Sequence, residues 1–220
     1  MPPRSHTHRY LAGTDSSAHP LVLLHGSDGT ESDLLPLAGE VAPGAPRLAL
    51  RGAVATDGGY AFFRRLPDRR VDEVDLAGRL LPVAQVIETS CAAHHFTRQP
   101  VALGFSNGAI MAAALLMTSP ALFAGAILLR PLSPFSQDLP HRLDDIPVLI
   151  VDGSDDTRRS PGDGLRLTER LRRAGASVTH HVLRTGHLIT AEDAALARDW
   201  LRAHRRRSGS AAGRIRGYFG

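Results

Sequence analysis

The stretch VALGFSNGAIMAAALLM (residues 101–117) joins a short apolar run to small and apolar residues at helical spacing. The first part predicts a buried strand, and the second part predicts a helix that begins at Asn107. At the junction, GFSNG (104–108) matches the Gly-x-Ser-x-Gly pattern of a tight strand-to-helix turn that exposes a serine hydroxyl. Glycine suits both outer positions because a Cβ there would collide with the facing backbone. The pattern therefore predicts Ser106 as a nucleophile, the alternative being a glycine-rich turn with an incidental serine.

The rest of the chain alternates short apolar runs with amphipathic segments. Strands are predicted over 21–26, 47–52, 100–105, 123–130, 146–153 and 177–183, and helices over 30–43, 71–94, 107–117, 164–175 and 189–207. We expect Ser32 or Asp33 to cap the first helix, Thr190 to cap the last, and Pro82 to kink or split the second. This alternation predicts an α/β fold with a mostly parallel sheet and helices on both faces. The length leaves no insertion for a large lid domain.

Length and composition are those of a single globular domain. The chain has 220 residues, of which 43% are hydrophobic and 22% are charged. We predict that the α/β domain spans residues 20–204, after an N-terminal arm or edge hairpin at 1–19 and before a flexible, basic, Gly- and Ser-containing tail at 205–220. All 26 basic residues are arginine, but a diffuse net charge of +4 is too small to indicate a nucleic-acid surface.

The cysteine count and the hydropathy pattern bear on the compartment. A single cysteine, Cys91, cannot form an internal disulfide, which favours a reducing environment. The N-terminal segment lacks the apolar core of a signal peptide, and no apolar run reaches the roughly 18 residues of a membrane-spanning helix. We therefore expect a cytoplasmic protein without a membrane span.

A serine hydroxyl becomes a good nucleophile only when a base takes its proton and a carboxylate orients that base. In chains with this turn the order is serine, then the acid, then histidine. His187 fits as the base because it lies in the loop after the sixth predicted strand, at the sheet edge where functional residues gather. The other downstream histidines lie within a strand, before a strand or on the last helix. They are His180, His181, His141 and His204.

Three acidic residues follow the fifth predicted strand and are candidates for the acid. Asp152 is expected within the strand or at its end, whereas Asp155 and Asp156 both lie in the following loop. Spacing alone does not separate Asp155 from Asp156, so the residues themselves leave the identity of the acid open.

A second glycine-containing loop, HGSDG (25–29), follows the first predicted strand. Its glycines let the backbone approach the Ser106 turn closely, so that the amides of Ser27 and Asn107 would form an oxyanion hole. His25 is expected to brace this loop through hydrogen bonds. The alternative is an ordinary glycine turn.

The segment YAFFRRL (60–66) brings aromatic and basic residues together in a loop. One interpretation places Phe62 or Phe63 in an acyl pocket and Arg64 or Arg65 against an anionic group of a substrate. In the other, the phenylalanines anchor a long loop and the arginines pair with nearby acidic residues. Those acidic residues are Asp68, Asp72 and Glu73.

Six segments together resemble the small bacterial α/β-hydrolases of the phospholipase/carboxylesterase family, which are related to acyl-protein thioesterases and dienelactone hydrolases. They are LLHGSDGTESDLLPLA (23–38), RLALRG (47–52), FFRRL (62–66), GFSNGA (104–109), GSDD (153–156) and GHLIT (186–190). The resemblance covers residues 20–203 and implies the α/β-hydrolase fold, with Ser106 as nucleophile and His187 as base. It also selects Asp156 as the acid, because in this family the acid is the fourth residue of a Gly-x-x-Asp stretch.

The resemblance further implies hydrolysis of carboxylic esters without a metal or cofactor. We predict a serine carboxylesterase that acts on small-molecule esters of short-to-medium acyl chain through an acyl-enzyme intermediate. The alternatives are an acyl thioesterase or lysophospholipase with the same residues, and a hydrolase-fold protein that binds without catalysis. A homodimer is compatible with the expected edge strands. Many relatives have proline after the acid, whereas here Thr157, Arg158 and Arg159 follow and could alter the preference for substrate charge.

Overall fold

Seven strands form one sheet in the computed structural model, which describes residues 7–137 and 141–205. From one edge to the other, the strands are β1 (His8–Leu11), β3 (Arg47–Leu50), β2 (Leu21–Leu24), β6 (Val101–Phe105), β7 (Gly125–Leu129), β8 (Pro147–Gly153) and β9 (Ser177–Leu183). Neighbouring strands are parallel apart from β1, which is antiparallel to β3. A separate antiparallel pair consists of β4 (Val54–Ala55) and β5 (Tyr60–Ala61).

Helices cover both faces of this sheet. In the described ranges the α-helices are α1 (Leu35–Val41), α2 (Glu73–Ala93), α3 (Asn107–Thr118), α4 (Asp163–Arg173) and α5 (Ala191–His204). Alternate strand residues point to opposite faces, so Val22 and Leu24 lie in the core beneath α2, α3 and α4, and Leu21 and Leu23 lie in the core beneath α1 and α5. The predicted fold class is confirmed, and the described ranges contain no large lid domain.

The central helix α3 connects the sheet to the turn at Ser106. Its residues from Asn107 to Met117 are all buried, because the helix is apolar on every side and is enclosed by strands and α2. Its N-terminus lies at the carboxyl edge of the sheet, directly after β6. Neither α3 nor any other helix in the described ranges has both the length and the apolarity to cross a membrane.

Three short strands lie outside the strands predicted from hydropathy. β1 lies within the segment predicted as an N-terminal arm or edge hairpin and forms one edge of the sheet, where its polar residues HRYL pair with β3 through the main chain. β4 and β5 have two residues each, which is too short to produce a hydrophobic period. Apart from Arg205, the predicted tail at 205–220 lies outside the described residues.

The predicted N-cap of the first helix was wrong. α1 begins at Leu35, and its N-cap residue is Leu34, which makes no side-chain capping bond. Asp33 instead accepts a hydrogen bond from Thr30 Oγ1 at 2.8 Å, within the turn that precedes the helix. The prediction for the last helix was correct, because Thr190 caps α5 in a reciprocal capping box.

Pro82 was predicted to kink or split the second helix, and the split was wrong, because α2 continues through this residue from Glu73 to Ala93. Proline removes one helical donor and leaves the carbonyl of Gly78 without its usual partner. Both residues lie on the exposed face of α2, where water can take the place of that donor. The buried face of α2, which includes Leu76 and Val83, keeps the helix on the core.

Two glycines allow α3 to approach the ends of the central strands. A Cβ on Gly108 would lie 2.0 Å from the carbonyl oxygen of Leu24, and one on Gly104 would lie 2.7 Å from the Cα of Ala109. Both contacts are with main-chain atoms, which cannot move aside as a side chain can. The two glycines therefore determine where Ser106 lies relative to β2.

We expect Gly108→Ala to lower the free energy of unfolding by about 1–3 kcal/mol, because the methyl group would overlap the Leu24 carbonyl and force helix and strand apart. The matched control is Gly78→Ala in α2. There a Cβ meets no described atom within 4 Å beyond its own helix, and the helix preference of alanine should add about 0.5–1 kcal/mol of stability. Urea unfolding measures both variants. A Gly108→Ala protein as stable as wild type would contradict the expectation.

Candidate active site

Ser106 occupies a strained turn at the carboxyl end of β6. Its backbone has φ +53° and ψ −111°, a conformation that costs a non-glycine residue on the order of 1–3 kcal/mol. The turn is held by a hydrogen bond from the Ser106 amide to the carbonyl oxygen of Leu129 at the end of β7, at 2.9 Å. The strained conformation carries the serine hydroxyl to the side chains of the loops after β8 and β9.

His187 lies between Ser106 and Asp156. Its Nε2 atom is 2.8 Å from Ser106 Oγ, and its Nδ1 atom is 2.6 Å from Asp156 Oδ2. Because a carboxylate only accepts, Nδ1 carries the proton and Nε2 presents its lone pair to the hydroxyl. Asp156 is itself held by the amide of Arg158, which donates to Oδ1 at 2.8 Å. The structure thus brings three distant side chains together in an arrangement in which His187 can take the proton of Ser106.

The other two acidic candidates have different partners. Asp155 is exposed and accepts a hydrogen bond from Ser154 Oγ at 3.0 Å. Asp152 Oδ2 lies 2.7 Å from Nε2 of His180, on the neighbouring strand β9. Within residues 7–137 and 141–205, no group of three His, Cys, Asp or Glu side chains is arranged to hold a metal ion.

The loop after β2 lies beside the Ser106 turn. A Cβ on Gly26 would be 2.9 Å from the Phe105 ring and 3.6 Å from Ser106 Cβ, so this loop packs closely against the turn. His25 braces this loop: its Nδ1 donates to the Gly26 carbonyl at 2.6 Å, and its Nε2 accepts from the Gly52 amide at 3.0 Å. Burial lowers the pKa of His25, which keeps the ring neutral in this bracing role.

The chain is similar to known proteins along most of its length. The profile of the Phospholipase/Carboxylesterase family matches residues 58–205, and the putative hydrolase MhqD of Bacillus subtilis is 36% identical over 195 residues, which is 88% of this chain and 96% of that protein. This chain belongs to the phospholipase/carboxylesterase family.

Solved structures agree with this assignment. The carboxylesterase of Bacillus cereus is 35% identical, with a TM-score of 0.87 over 91% of this chain and 95% of that one. The carboxylesterase of Mesorhizobium loti is 31% identical, with a TM-score of 0.85 over 92% of this chain and 97% of that one. The α/β-hydrolase fold and the resemblance noted in the sequence are confirmed, and this family member is a carboxylesterase-type hydrolase.

Phe62 and Phe63 do not line an open acyl pocket. Each is only 1% exposed, and both rings are enclosed in the core beneath α2, α3 and α4. The side chain of Asn107 fixes their main chain, because it accepts from the Phe62 amide at 2.7 Å and donates to the Phe63 carbonyl at 3.2 Å. Arg64 is exposed and pairs with Asp75 of α2 at 3.4 Å. Their burial therefore contradicts the prediction that Phe62 and Phe63 line an acyl pocket, and the interpretation as loop anchors describes these two residues.

The electrostatic surroundings of His187 favour its neutral form. Burial lowers the pKa of its ring below the ordinary value of 6.5, and the positive charges of Arg159 and Arg158 lower it further. The hydrogen bond from Nδ1 to Asp156 acts in the opposite direction, because a carboxylate stabilises the imidazolium. The net lowering leaves His187 able to accept a proton at neutral pH.

Arg130, at the end of β7, was not predicted to contribute to the site. Its side chain is fully buried and forms an ion pair with the equally buried Asp193 of α5 through two hydrogen bonds, at 2.7 and 2.8 Å. The other guanidinium hydrogens go to the carbonyl oxygens of Val151, Gly186 and Leu188. All five N–H donors of the guanidinium are therefore used.

These contacts make Arg130 a positioning residue for His187. Gly186 and Leu188 precede and follow His187, so the guanidinium holds the loop on both sides of the imidazole. The sequence contains a signal for this role, because the apolar run AGAILLR (124–130) ends in an arginine at the functional edge of the sheet. A charged residue that ends a buried strand needs several partners there.

We expect Arg130→Met to lower the free energy of unfolding by about 3–5 kcal/mol, because it leaves the buried Asp193 carboxylate unpaired. The control is Arg198→Met, which removes the partly exposed pair with Glu40 and should cost less than about 1 kcal/mol. Denaturant unfolding with both variants measures the difference. Equal losses would show that the buried pair contributes no more than the surface pair.

We expect the His187 ring to titrate below pH 6.5 in an NMR titration, and ester hydrolysis to fall through the same midpoint as the pH is lowered. The sign follows from burial and from the nearby arginines, which disfavour the imidazolium. Arg158→Gln removes one of those charges and should move the midpoint upward. Arg202→Gln, on the exposed side of α5, should leave it unchanged. A midpoint above 6.5 in wild type would contradict this electrostatic account.

Proposed function

We propose that this chain is a serine hydrolase that cleaves carboxylic esters of short-to-medium acyl chain, with Ser106 as nucleophile, His187 as base and Asp156 as the acid. One observation carries the proposal: the His187 ring is within hydrogen-bond distance of both the Ser106 hydroxyl and the Asp156 carboxylate. Membership of the phospholipase/carboxylesterase family supports the same reaction class.

In the acylation step, Ser106 Oγ attacks the ester carbonyl carbon and its proton passes to His187 Nε2. Asp156 stabilises the imidazolium and keeps the proton of Nδ1 in place. The amides of Ser27 and Asn107 donate to the tetrahedral oxyanion, a contribution of about 3 kcal/mol for each donor. Asn107 suits this role because the first amides of a helix have no acceptor within the helix. The carbon–oxygen bond then breaks, and His187 returns its proton to the leaving alcohol.

In the deacylation step, water replaces the alcohol. His187 takes a proton from water, whose oxygen attacks the acyl carbon of the Ser106 ester. The second tetrahedral intermediate collapses, the acid is released, and the proton returns from His187 to Ser106. Each proton that leaves one group is taken by another, so the cycle needs no further reactant.

The short-to-medium acyl preference is supported by the absence of an inserted domain over Ser106 in the described ranges. The side chains that contact the serine hydroxyl come from the loops after β8 and β9, and such an open arrangement suits soluble esters more than aggregated lipid. The same steps apply to thioesters and lysophospholipids, so acyl thioesterase and lysophospholipase activities are the alternative forms of the proposal. Cytoplasmic location and a homodimer stay predictions.

A panel of p-nitrophenyl esters from acetate to palmitate tests the proposal. We expect activity to peak at acyl chains of a few carbons and Ser106→Ala to lower kcat by about 10⁴-fold or more, because within residues 7–137 and 141–205 His187 bonds to no other hydroxyl. A fluorophosphonate probe should label wild type at Ser106, as located by mass spectrometry. Undiminished hydrolysis by Ser106→Ala would overturn the proposed mechanism.

The control for the acid compares two neighbouring carboxylates. Asp156→Asn should lower kcat by about 10⁴-fold, because an amide at this position favours the wrong imidazole tautomer. Asp155→Asn removes an exposed carboxylate from the preceding residue of the same loop and should have little effect. The reverse ranking would assign the acid to Asp155.

A further inference from the structure

The guanidinium of Arg159 forms a hydrogen bond with the hydroxyl of the reacting serine. Its Nη2 atom donates to Ser106 Oγ at 3.1 Å, and its Nε atom donates to the carbonyl oxygen of Arg130 at 2.8 Å. The second bond fixes the plane of the guanidinium, because it joins the side chain to the main chain at the end of β7. A charged donor is thus held at the position where a substrate must approach Ser106.

The charge of Arg159 has no carboxylate partner within ion-pair distance in the described part of the chain. The nearby carboxylates are engaged elsewhere. Asp156 binds His187, Asp152 binds His180, and Asp163 accepts from Ser160 and Arg166. A half-buried cation without a counter-ion is costly, and binding an anion would offset that cost.

Arg65 adds a second positive charge near the first. Burial lowers the pKa of Arg159 to about 10, and the charge of Arg65 is the next largest cause, so the two guanidiniums are near enough to repel each other. Arg65 lies over the Phe63 ring at 5.9 Å, donates to the Arg69 carbonyl at 2.6 Å, and likewise has no ion-pair partner among the described residues. Both arginines remain charged at neutral pH.

We propose that the substrate is an ester that also carries a carboxylate close to the scissile bond, and that Arg159, assisted by Arg65, binds this carboxylate. The inference rests on the proposed function, whose reacting serine it uses. A planar guanidinium matches a carboxylate through two parallel hydrogen bonds, which a single ammonium group cannot provide. Arg159 is therefore a specificity-determining residue that selects anionic over neutral esters.

Matched ester pairs test this selection. Monoethyl glutarate and ethyl valerate differ on the acyl side by a carboxylate in place of a methyl group, and carboxymethyl butyrate and ethyl butyrate differ in the same way on the alcohol side. We expect wild type to show a kcat/KM for the anionic member about 10-fold or more above the neutral member in at least one pair. The pair that shows the preference identifies the side that carries the carboxylate.

Arg159→Gln should reduce this anionic-to-neutral ratio by about 10–100-fold, because the fixed charge and its fork of donors are lost. Arg159→Lys keeps the charge without the fork and should give an intermediate ratio. The matched control is Arg64→Gln, which removes an exposed arginine of the neighbouring loop that is paired with Asp75, and it should leave the ratio unchanged. The rate of fluorophosphonate labelling at Ser106 reports whether each variant keeps an intact site.

The outcomes separate this inference from the proposed function. If wild type hydrolyses the neutral esters and prefers them in both pairs, the carboxylate inference is overturned while the serine hydrolase proposal stands. The inference also fails if Arg159→Gln keeps the wild-type ratio. The wild-type ratio requires no variant, so the test does not depend on whether Arg159→Gln folds.

Discussion

The buried ion pair between Arg130 and Asp193 organises the site. Arg130 ends β7, Asp193 belongs to the first turn of α5, and both side chains are fully buried. Through its other donors Arg130 binds the main chain on either side of His187, and through its own carbonyl oxygen it accepts from Arg159. His187 and Arg159 both contact Ser106 Oγ. Arg130 holds Arg159 directly, and it holds His187 through the two residues on either side of it.

A buried ion pair stabilises a fold only when its remaining donors and acceptors are satisfied. Here the remaining donors of Arg130 and the remaining acceptor positions of Asp193 are satisfied by the loop that carries His187 and by the N-terminus of α5. Asp193 also accepts from the amide and hydroxyl of Thr190, so the carboxylate that neutralises Arg130 caps α5 at the same time. The loop that carries His187 is therefore held at two places. Arg130 binds the carbonyl oxygens of Gly186 and Leu188, and Asp193 binds Thr190 where the loop enters α5.

The site combines a neutral base with fixed positive charge. His187 has a lowered pKa because it is half-buried and close to Arg159 and Arg158, while the bond to Asp156 limits that effect. Arginine suits such a cluster because it stays protonated where burial would neutralise a lysine. Because every basic residue of the chain is arginine, the cations around Ser106 stay protonated at neutral pH.

Much of the architecture could be predicted from local patterns. The continuous apolar runs at 21–24 and 101–105 indicated buried parallel strands, and the order of a serine, an acidic residue and a histidine after successive strands matched one fold. Such features depend on neighbouring residues and on strand ends, which a sequence displays directly.

Tertiary contacts decided the rest. Main-chain pairing with β3 made a polar segment into β1, and the exposure of Pro82 allowed α2 to continue through it. Enclosure in the core made Phe62 and Phe63 anchors of their loop. Apart from the carbonyl oxygen of Arg158, the side-chain partners of Arg130 and Arg159 lie 21 to 63 residues away in the chain, and no local pattern encodes contacts that form only when the strand ends converge.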